Sequence, residues 1–154
     1  TAKGICYALT IPLVSVNTLE LMAFQLLEMP SIEKELSDNV IFCPMLDARR
    51  MEVYCALFDQ DLSYKEQVQT KVIDEYSFKN IIDVSQVFFF GEGADKCKDI
   101  IKHQNAHFFP GVIPLASSLG VIGYKKWKAG VFEDLVLFEP FYLKDFLIKK
   151  PNLK

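Results

Sequence analysis

The sequence lacks the long apolar segment that a membrane-spanning helix needs. No window of its 154 residues approaches the roughly 20 consecutive apolar residues required to cross a bilayer. The first residues also lack the basic region and apolar run that are typical of a secretory signal peptide. We therefore expect a cytoplasmic protein without a membrane partner.

Cysteine and histidine are scarce, and their spacing argues against a metal site. The four cysteines form no CxxC pair and lie among apolar neighbours, which predicts reduced core residues of a cytosolic protein. His103 and His107 have the i,i+4 spacing of zinc ligands on a helix, but Gln104-Asn105 between them indicates a helix end. No HExxH motif accompanies them. The sequence therefore predicts no metal ion.

The apolar residues that are present suffice for a core. They make up 51% of the chain, enough for one or two compact domains. Their pattern predicts a helix over 2–9 and a short strand over 13–16. A second helix should begin after the cap Asn17, with Glu20 as capping-box partner, and end near Met29. Its predicted core-facing residues are Leu19, Met22, Ala23 and Leu26.

Strand patterns occupy the middle of the chain. Residues 40–46 are almost all apolar, as in a central strand, and residues 51–59 alternate between two faces. Together with a third strand near 66–73, they predict an antiparallel meander. The remaining predicted elements are a strand over 87–90, a glycine turn and helix after it, a strand near 107–109, a helix over 113–128 with Leu115, Leu119 and Ile122 facing the core, and an extended segment over 135–142.

This order of elements indicates a fold class. Three antiparallel strands followed by alternating strands and helices are the layout of a ribonuclease H-like domain, two of which build the actin-like ATPases. We therefore predict an α/β fold of this type, with flanking helices on a mixed sheet that contains three antiparallel strands. Residues 1–38 are predicted to be the C-terminal remnant of a first such domain plus a connector, and residues 39–154 the second domain.

Several segments carry a resemblance to a known family. The segments TAKGICYALTIPLVSVNTLELMA, PMLDARRMEVYCALFD, FFGEGADK and EPFYLKDF resemble, in this order, elements of the bacterial TsaB (YeaZ) family. The resemblance runs from Thr1 to about Phe146. The family's first strands, first helix and glycine-serine-rich loop would precede Thr1, and the chain opens in the middle of a helical pattern. We therefore expect that an upstream part is missing.

The resemblance implies a function in tRNA modification. TsaB-like proteins are non-catalytic partners in forming N6-threonylcarbamoyladenosine at position 37 of tRNA. The transferase is the paralogue TsaD, the ATPase TsaE joins the pair, and TsaC-type enzymes supply the threonylcarbamoyl-adenylate. For this chain, the resemblance implies TsaD-like and TsaE-like partners and indirect contact with tRNA through the complex. It implies no cofactor in the chain itself, with ATP only in the complex.

The same resemblance gives candidates for the partner interface. Pairing in the family uses first-domain helices, of which the segment 1–9 is the part present here. The candidate interface residues are therefore Thr1, Lys3, Gly4 and Tyr7. An apolar surface left by a missing part would promote self-association, so a homodimer is also expected.

The charged tetrad Asp47-Ala48-Arg49-Arg50, with Glu52, lies between two apolar runs. One interpretation is an acid/base or phosphate-binding group at a strand end. The preferred one is a hairpin tip, where Asp47 lies close to Glu52 or Arg50 and pairs locally. A third is a surface that orients a partner. No nearby side chain resembles a poised nucleophile, so no catalytic residue is predicted.

The turn Gly91-Glu92-Gly93 follows a strand and precedes a helix, where a phosphate can bind in related folds. Glu92 and Asp95 add negative charge there, so we interpret Gly91 and Gly93 mainly as a tight turn and secondarily as a nucleotide site. Two alternative functions therefore stay open beside the scaffold: an ATP-binding actin-like enzyme and a glycoprotease-like metallopeptidase.

Basic residues cluster in one place on a chain of net charge −3, which is otherwise a poor stand-alone binder of nucleic acid. Lys125, Lys126 and Lys128 fit a solvated helix C-terminus, where positive charge is favourable. The alternative is a patch that steers tRNA, with Trp127 beside it. Further lysines near the end are Lys149, Lys150 and Lys154.

Overall fold

The computed structural model describes residues 1–37 and 39–143. Its helices are α1 (Ala2–Leu9), α2 (Thr18–Leu27), α3 (Pro30–Glu33), α4 (Lys79–Ile82), α5 (Glu92–Asp95) and α6 (Ala116–Lys128). Its strands are β1 (Val40–Asp47), β2 (Glu52–Phe58), β3 (Tyr64–Val72), β4 (Gln86–Phe90) and β5 (Ala106–Phe109).

The five strands form one mixed sheet with the order β3-β2-β1-β4-β5. The hairpin strands β1 and β2 are antiparallel, as are β2 and β3, whereas β4 runs parallel to β1 and β5 parallel to β4. Strand β1 therefore lies at the centre and β3 and β5 at the edges. The predicted mixed sheet with three antiparallel strands is confirmed.

Both faces of the sheet are covered, which explains the continuous apolar runs in β1 and β4. On one face, Cys43, Val53 and Phe89 belong to a core with α4 and the segment after α5. On the other face, Phe42 and Phe88 belong to a core with α2 and α3. Strand β2 alternates between these two cores as its sequence predicted, and the aromatic rings of Phe89 and Phe108 stack at 5.1 Å.

Helix α2 begins where the sequence predicted. The side chain of Asn17 accepts a hydrogen bond from the N–H of Leu19 at 2.9 Å, and the four predicted core-facing residues are buried. Glu20 has another role than the predicted capping box: its carboxylate binds the ammonium of Lys126 at 3.2 Å. The helix ends at Leu27, because Pro30 then opens α3.

Three predicted elements differ from the structure. The segment 13–16 forms a single bridge between Leu13 and Glu133 instead of a strand. The helix after the glycine turn is limited to α5, because the chain then turns so that Cys97 and Ile101 enter the core. The segment 135–142 starts with a turn, in which the carboxylate of Asp134 accepts hydrogen bonds from two backbone N–H groups.

Helix α6 packs differently from its prediction. It starts at Ala116 and lies on α2, where Ile122 is buried against Leu21 and Phe24. Leu115 and Leu119, which were expected in the core, are 46% and 43% exposed. Because α6 lies on a helix and not on the sheet, a smaller part of its surface is covered.

The predicted domain boundary between residues 38 and 39 stays a prediction. The structure adds that α2 and α3, which precede this boundary, pack on the sheet that follows it. The helices of the described ranges are too short or too polar to span a lipid bilayer. The end of the predicted EPFYLKDF element, residues 144–146, and Lys149, Lys150 and Lys154 lie outside the described residues.

Candidate functional site at the β1–β2 hairpin tip

The tip of the β1–β2 hairpin brings the four predicted residues together. The N–H of Ala48 donates to the carbonyl of Glu52 at 3.0 Å, and the N–H of Glu52 donates to the carbonyl of Arg49 at 3.1 Å. Arg49 and Arg50 have φ angles of 71° and 50°. Residues other than glycine and asparagine rarely adopt this left-handed conformation, which costs about 1–3 kcal/mol each. The tip therefore needs support from its surroundings.

Lys96 supplies much of this support. Its ammonium, from the turn after α5, donates hydrogen bonds to the carboxylate of Asp47 and to the carbonyls of Arg50 and Glu52, both at 2.7 Å. One partly buried cation thus joins both arms of the hairpin to the segment after β4. Asp47 lies close to Arg50 and Glu52, as expected, but the ion-pair partner of its carboxylate is Lys96, which the sequence-based prediction did not include.

Sequence reasoning missed Lys96 because far-separated residues meet here. The predicted sheet topology could have indicated this contact. When β1 and β4 run parallel, the residues after each strand lie at the same edge of the sheet. Lys96 follows β4 as Asp47 ends β1, so the two side chains were candidates for a pair.

The charged side chains at the tip have different surroundings. The hydrogen bond from Lys96 lowers the pKa of Asp47, and the N–H of Arg49, which donates to the same carboxylate at 3.0 Å, lowers it further. Arg49 and Arg50 are exposed at the tip. The arrangement fixes the shape of the hairpin and presents two cationic side chains to solvent.

Gly91 and Gly93 lie next to the tip because they touch the end of β1. A Cβ atom on Gly91, which has a φ of 95°, would lie 2.4 Å from the carbonyl oxygen of Met45. A Cβ on Gly93 would lie 2.9 Å from that of Leu46. Close approach of two backbones therefore explains both glycines. Phosphate binding at this turn stays a prediction.

Cys97 is the thiol nearest in sequence to Lys96, and it is buried. Burial raises its pKa to about 11, and its thiol donates to the carbonyl of Gly93 at 3.1 Å. Burial also raises the pKa of Cys43, whose thiol is hydrogen-bonded to Cys55. Thiols with raised pKa values are protonated near neutral pH and are poor nucleophiles.

The two histidines do not share a helix face. His103 lies before β5 with its ring 3.6 Å from the carboxylate of Asp83, whereas His107 lies within β5 and its ring contacts Phe88. In residues 1–37 and 39–143, no three His, Cys, Asp or Glu side chains are grouped to hold a metal ion.

The fold defines the class of the protein. The central strand β1 has two strands in successive antiparallel pairing on one side and two in parallel pairing on the other. With helices on both faces, this is the ribonuclease H-like arrangement of actin-like proteins. The chain belongs to the TsaD family, because the family model described as tRNA N6-adenosine threonylcarbamoyltransferase matches residues 1–150.

Two solved structures with the same fold are YeaZ or are described as similar to it. An uncharacterised protein described as similar to peptidase YeaZ from Pseudomonas aeruginosa matches with a TM-score of 0.72 at 16% identity, over 92% of this chain and 63% of the other. YeaZ from Pseudomonas aeruginosa matches with a TM-score of 0.63 at 19% identity, over 92% and 64%. At these identities the likeness shows the fold alone. No curated protein matches the chain significantly.

These comparisons confirm the predicted resemblance and fold class. The family model supports the predicted resemblance, and the YeaZ structures share the predicted fold. The chain spans less than two thirds of the solved chains that it matches.

The hydrogen bonds of Lys96 predict a loss of stability in Lys96→Ala. We expect a decrease of roughly 1–2 kcal/mol in the free energy of unfolding, mainly from the bonds to two carbonyls and little from the exposed ion pair. Urea unfolding measures it. The matched control Lys98→Ala, two residues away and exposed, should change stability by less than about 0.5 kcal/mol. Equal effects of the two substitutions would contradict the role of Lys96.

The lowered pKa of Asp47 predicts a pH-dependent effect of Asp47→Asn. The carboxylate stabilises the fold above its unfolded pKa of about 3.9, and this contribution disappears as the pH falls toward the lower folded pKa. The variant should be less stable than the original chain at neutral pH, and the difference should shrink below about pH 4. Subtracting the two urea-unfolding curves removes the similar contributions of Asp59 and Asp134. A difference that is independent of pH would refute this.

Two glycines in helices should respond oppositely to alanine. Gly93→Ala should destabilise the fold by roughly 1–3 kcal/mol, because its Cβ would press on the backbone of Leu46. Gly120→Ala should stabilise it by about 0.5–1 kcal/mol, because the space beside Gly120 in α6 is open. Thermal and urea unfolding measure both changes. A stable Gly93→Ala protein would show that contact with β1 does not require glycine.

Proposed function

We propose that this chain is a non-catalytic partner in the formation of N6-threonylcarbamoyladenosine in tRNA and that it supports a TsaD-like transferase. Membership of the TsaD family and the YeaZ fold support this proposal. The geometry of the hairpin tip agrees with it, because the carboxylate of Asp47 is held by Lys96 and the neighbouring thiol of Cys97 is protonated. The complex would act in the cytoplasm.

The observation that carries the proposal is the exposed apolar surface of α1. In this helix Cys6 is the one buried residue, whereas Ile5, Tyr7 and Leu9 are 51%, 79% and 64% exposed. Ile5 and Leu9, four residues apart, lie on one face of the helix, and Tyr7 lies on another. Large apolar side chains that stay exposed are typical of a protein–protein interface. Tyrosine is moreover enriched at the energetic centres of interfaces. Tyr7 is therefore the residue that we expect to contribute most to partner binding.

The other candidate interface residues have different surroundings. Thr1 and Gly4 are exposed, and no atom lies within 4 Å of a Cβ built on Gly4, so a partner helix can approach closely. Lys3 has an intramolecular role, because its ammonium donates to the carbonyls of Val136 at 3.1 Å and Phe138 at 2.9 Å. Lys3 thus holds α1 against the segment that follows α6.

The remaining parts of the proposal concern the complex. A TsaE-like ATPase would join it, ATP would bind in the complex rather than to this chain, and tRNA would be contacted through the transferase. The exposed surface of α1 also allows a homodimer in the absence of the partner. ATP binding to the turn at Gly91 and Gly93 is the alternative, and tight binding of ATP to the isolated chain would favour it.

Tyr7→Ala should weaken binding of a TsaD-like protein without unfolding the chain, because this side chain is exposed. We expect a loss of about 5- to 30-fold in affinity, as for a central interface tyrosine. Titration calorimetry with the purified TsaD-like protein of the same cell measures the affinity. The matched control is Tyr76→Ala, since Tyr76 is 67% exposed and far from α1 in sequence.

Equal affinities of the chain and the Tyr7→Ala variant would contradict this interface, as would an equal loss in Tyr76→Ala. Size-exclusion chromatography of both variants over a range of concentrations tests the homodimer. If dimerisation uses α1, Tyr7→Ala should shift the equilibrium toward the monomer and Tyr76→Ala should not.

A further inference from the structure

Two aromatic rings lie together on the exposed side of α6. The rings of Tyr124 and Trp127 stack with centroids 6.0 Å apart and an angle of 15° between their planes. The two residues are 56% and 52% exposed. No described atom lies within 4 Å of a Cβ built on the nearby Gly120 or Gly123, so the helix surface is open beside both glycines. The pair is therefore accessible to a flat ligand.

The three lysines near these rings have different partners. Lys126 is committed to the fold, because its ammonium binds the carboxylate of Glu20 and the carbonyl of Ser15, both at 3.2 Å. Lys125 lies over the ring of Phe24 at 4.9 Å, and Lys128 lies over the ring of Tyr124 at 5.1 Å. No carboxylate pairs with Lys125 or Lys128 in the described ranges. Their charges therefore remain available to an anion.

The sequence around Tyr124 and Trp127 contains positive charges and no negative ones. Residues 100–132 contain no aspartate or glutamate but four lysines, in a chain whose net charge is −3. Exposed aromatic rings beside two lysines without a carboxylate partner match the chemistry of single-stranded nucleic acid, in which bases stack on aromatic rings and phosphates approach ammonium groups. A protein partner would use the rings equally well, but the two lysines favour a polyanion.

We propose that Tyr124, Lys125, Trp127 and Lys128, here called the α6 platform, bind single-stranded RNA directly through base stacking. This goes beyond the proposed function, in which tRNA is contacted through the transferase. The choice of RNA rests on that function, whereas the stacking chemistry rests on the geometry. Trp127 supplies the larger ring, Tyr124 supports it from the preceding turn, and Lys125 and Lys128 attract the phosphates.

The chain contains one tryptophan, so its fluorescence reports directly on the α6 platform. A single-stranded RNA 12-mer is titrated into the whole chain at low salt, about 50 mM, where phosphate contacts are strongest. Stacking of a base on Trp127 should quench its emission as the RNA binds. A fluorescein-labelled RNA of the same sequence gives the affinity by anisotropy for variants without tryptophan.

The variants separate stacking from attraction by charge. Trp127→Ala should weaken RNA binding by roughly 5-fold or more, and Trp127→Phe should restore most of the loss. The double variant Lys125→Gln and Lys128→Gln should decrease the slope of log affinity against log salt by about 1.4, the value for two phosphate contacts on a single strand. Leu119→Ala, an exposed apolar residue of the same helix, is the matched control and should bind RNA normally.

Three outcomes would overturn the proposal. One is unquenched emission at saturating RNA, and another is equal affinity in Trp127→Ala and the unchanged chain. The third is a shift in tryptophan emission that depends on protein concentration, persists in Tyr7→Ala and is not reversed by RNA, which would assign the platform to contact with a second copy of the chain. The assay uses no TsaD-like protein, so its failure would leave the α1 interface untouched. If the binding experiments contradicted the α1 interface, direct RNA binding could still be tested in the same way.

Discussion

The contact on which the structure depends is the parallel pairing of β1 with β4 and the close approach of the turn that follows it. The turn at Gly91 and Gly93 presses against the carbonyls of Met45 and Leu46, with no room for a side chain on either glycine. This contact places the segment after β4 directly under the β1–β2 hairpin. It thereby sets the position of Lys96, from which the conformation of the hairpin tip follows.

The tip combines backbone strain with specific support. Arg49 and Arg50 adopt a conformation that their side chains disfavour, and the bonds to Asp47 and Lys96 offset part of this cost. Such strain is found where a fixed shape matters more than local stability. A rigid hairpin with two exposed guanidinium groups is suited to meeting an acidic surface.

Sequence patterns predicted the sheet well and the outer helices less well, for a physical reason. Strands β1 and β2 are buried by both layers, so each of their residues carries a clear apolar or alternating signal. The cap at Asn17 involves only residues that are close in sequence, so the sequence predicted it as well as it predicted the strands. Helix α6 also has apolar residues at helical spacing, yet Leu115 and Leu119 are exposed because periodicity identifies an apolar face and not what covers it. Lys96 was missed because its partners are distant in sequence.

The edges of the sheet limit how this protein can associate. Strand β3 is a nine-residue edge, long enough to template addition of a further strand. Lys65 and Lys71 lie near its two ends, and irregular pairing with β2 between Cys55 and Phe58 distorts it. Strand β5, at the opposite edge, has four residues. Both features discourage growth of the sheet from copy to copy, so the chain can keep large apolar side chains exposed on its helices without offering a path toward fibrils.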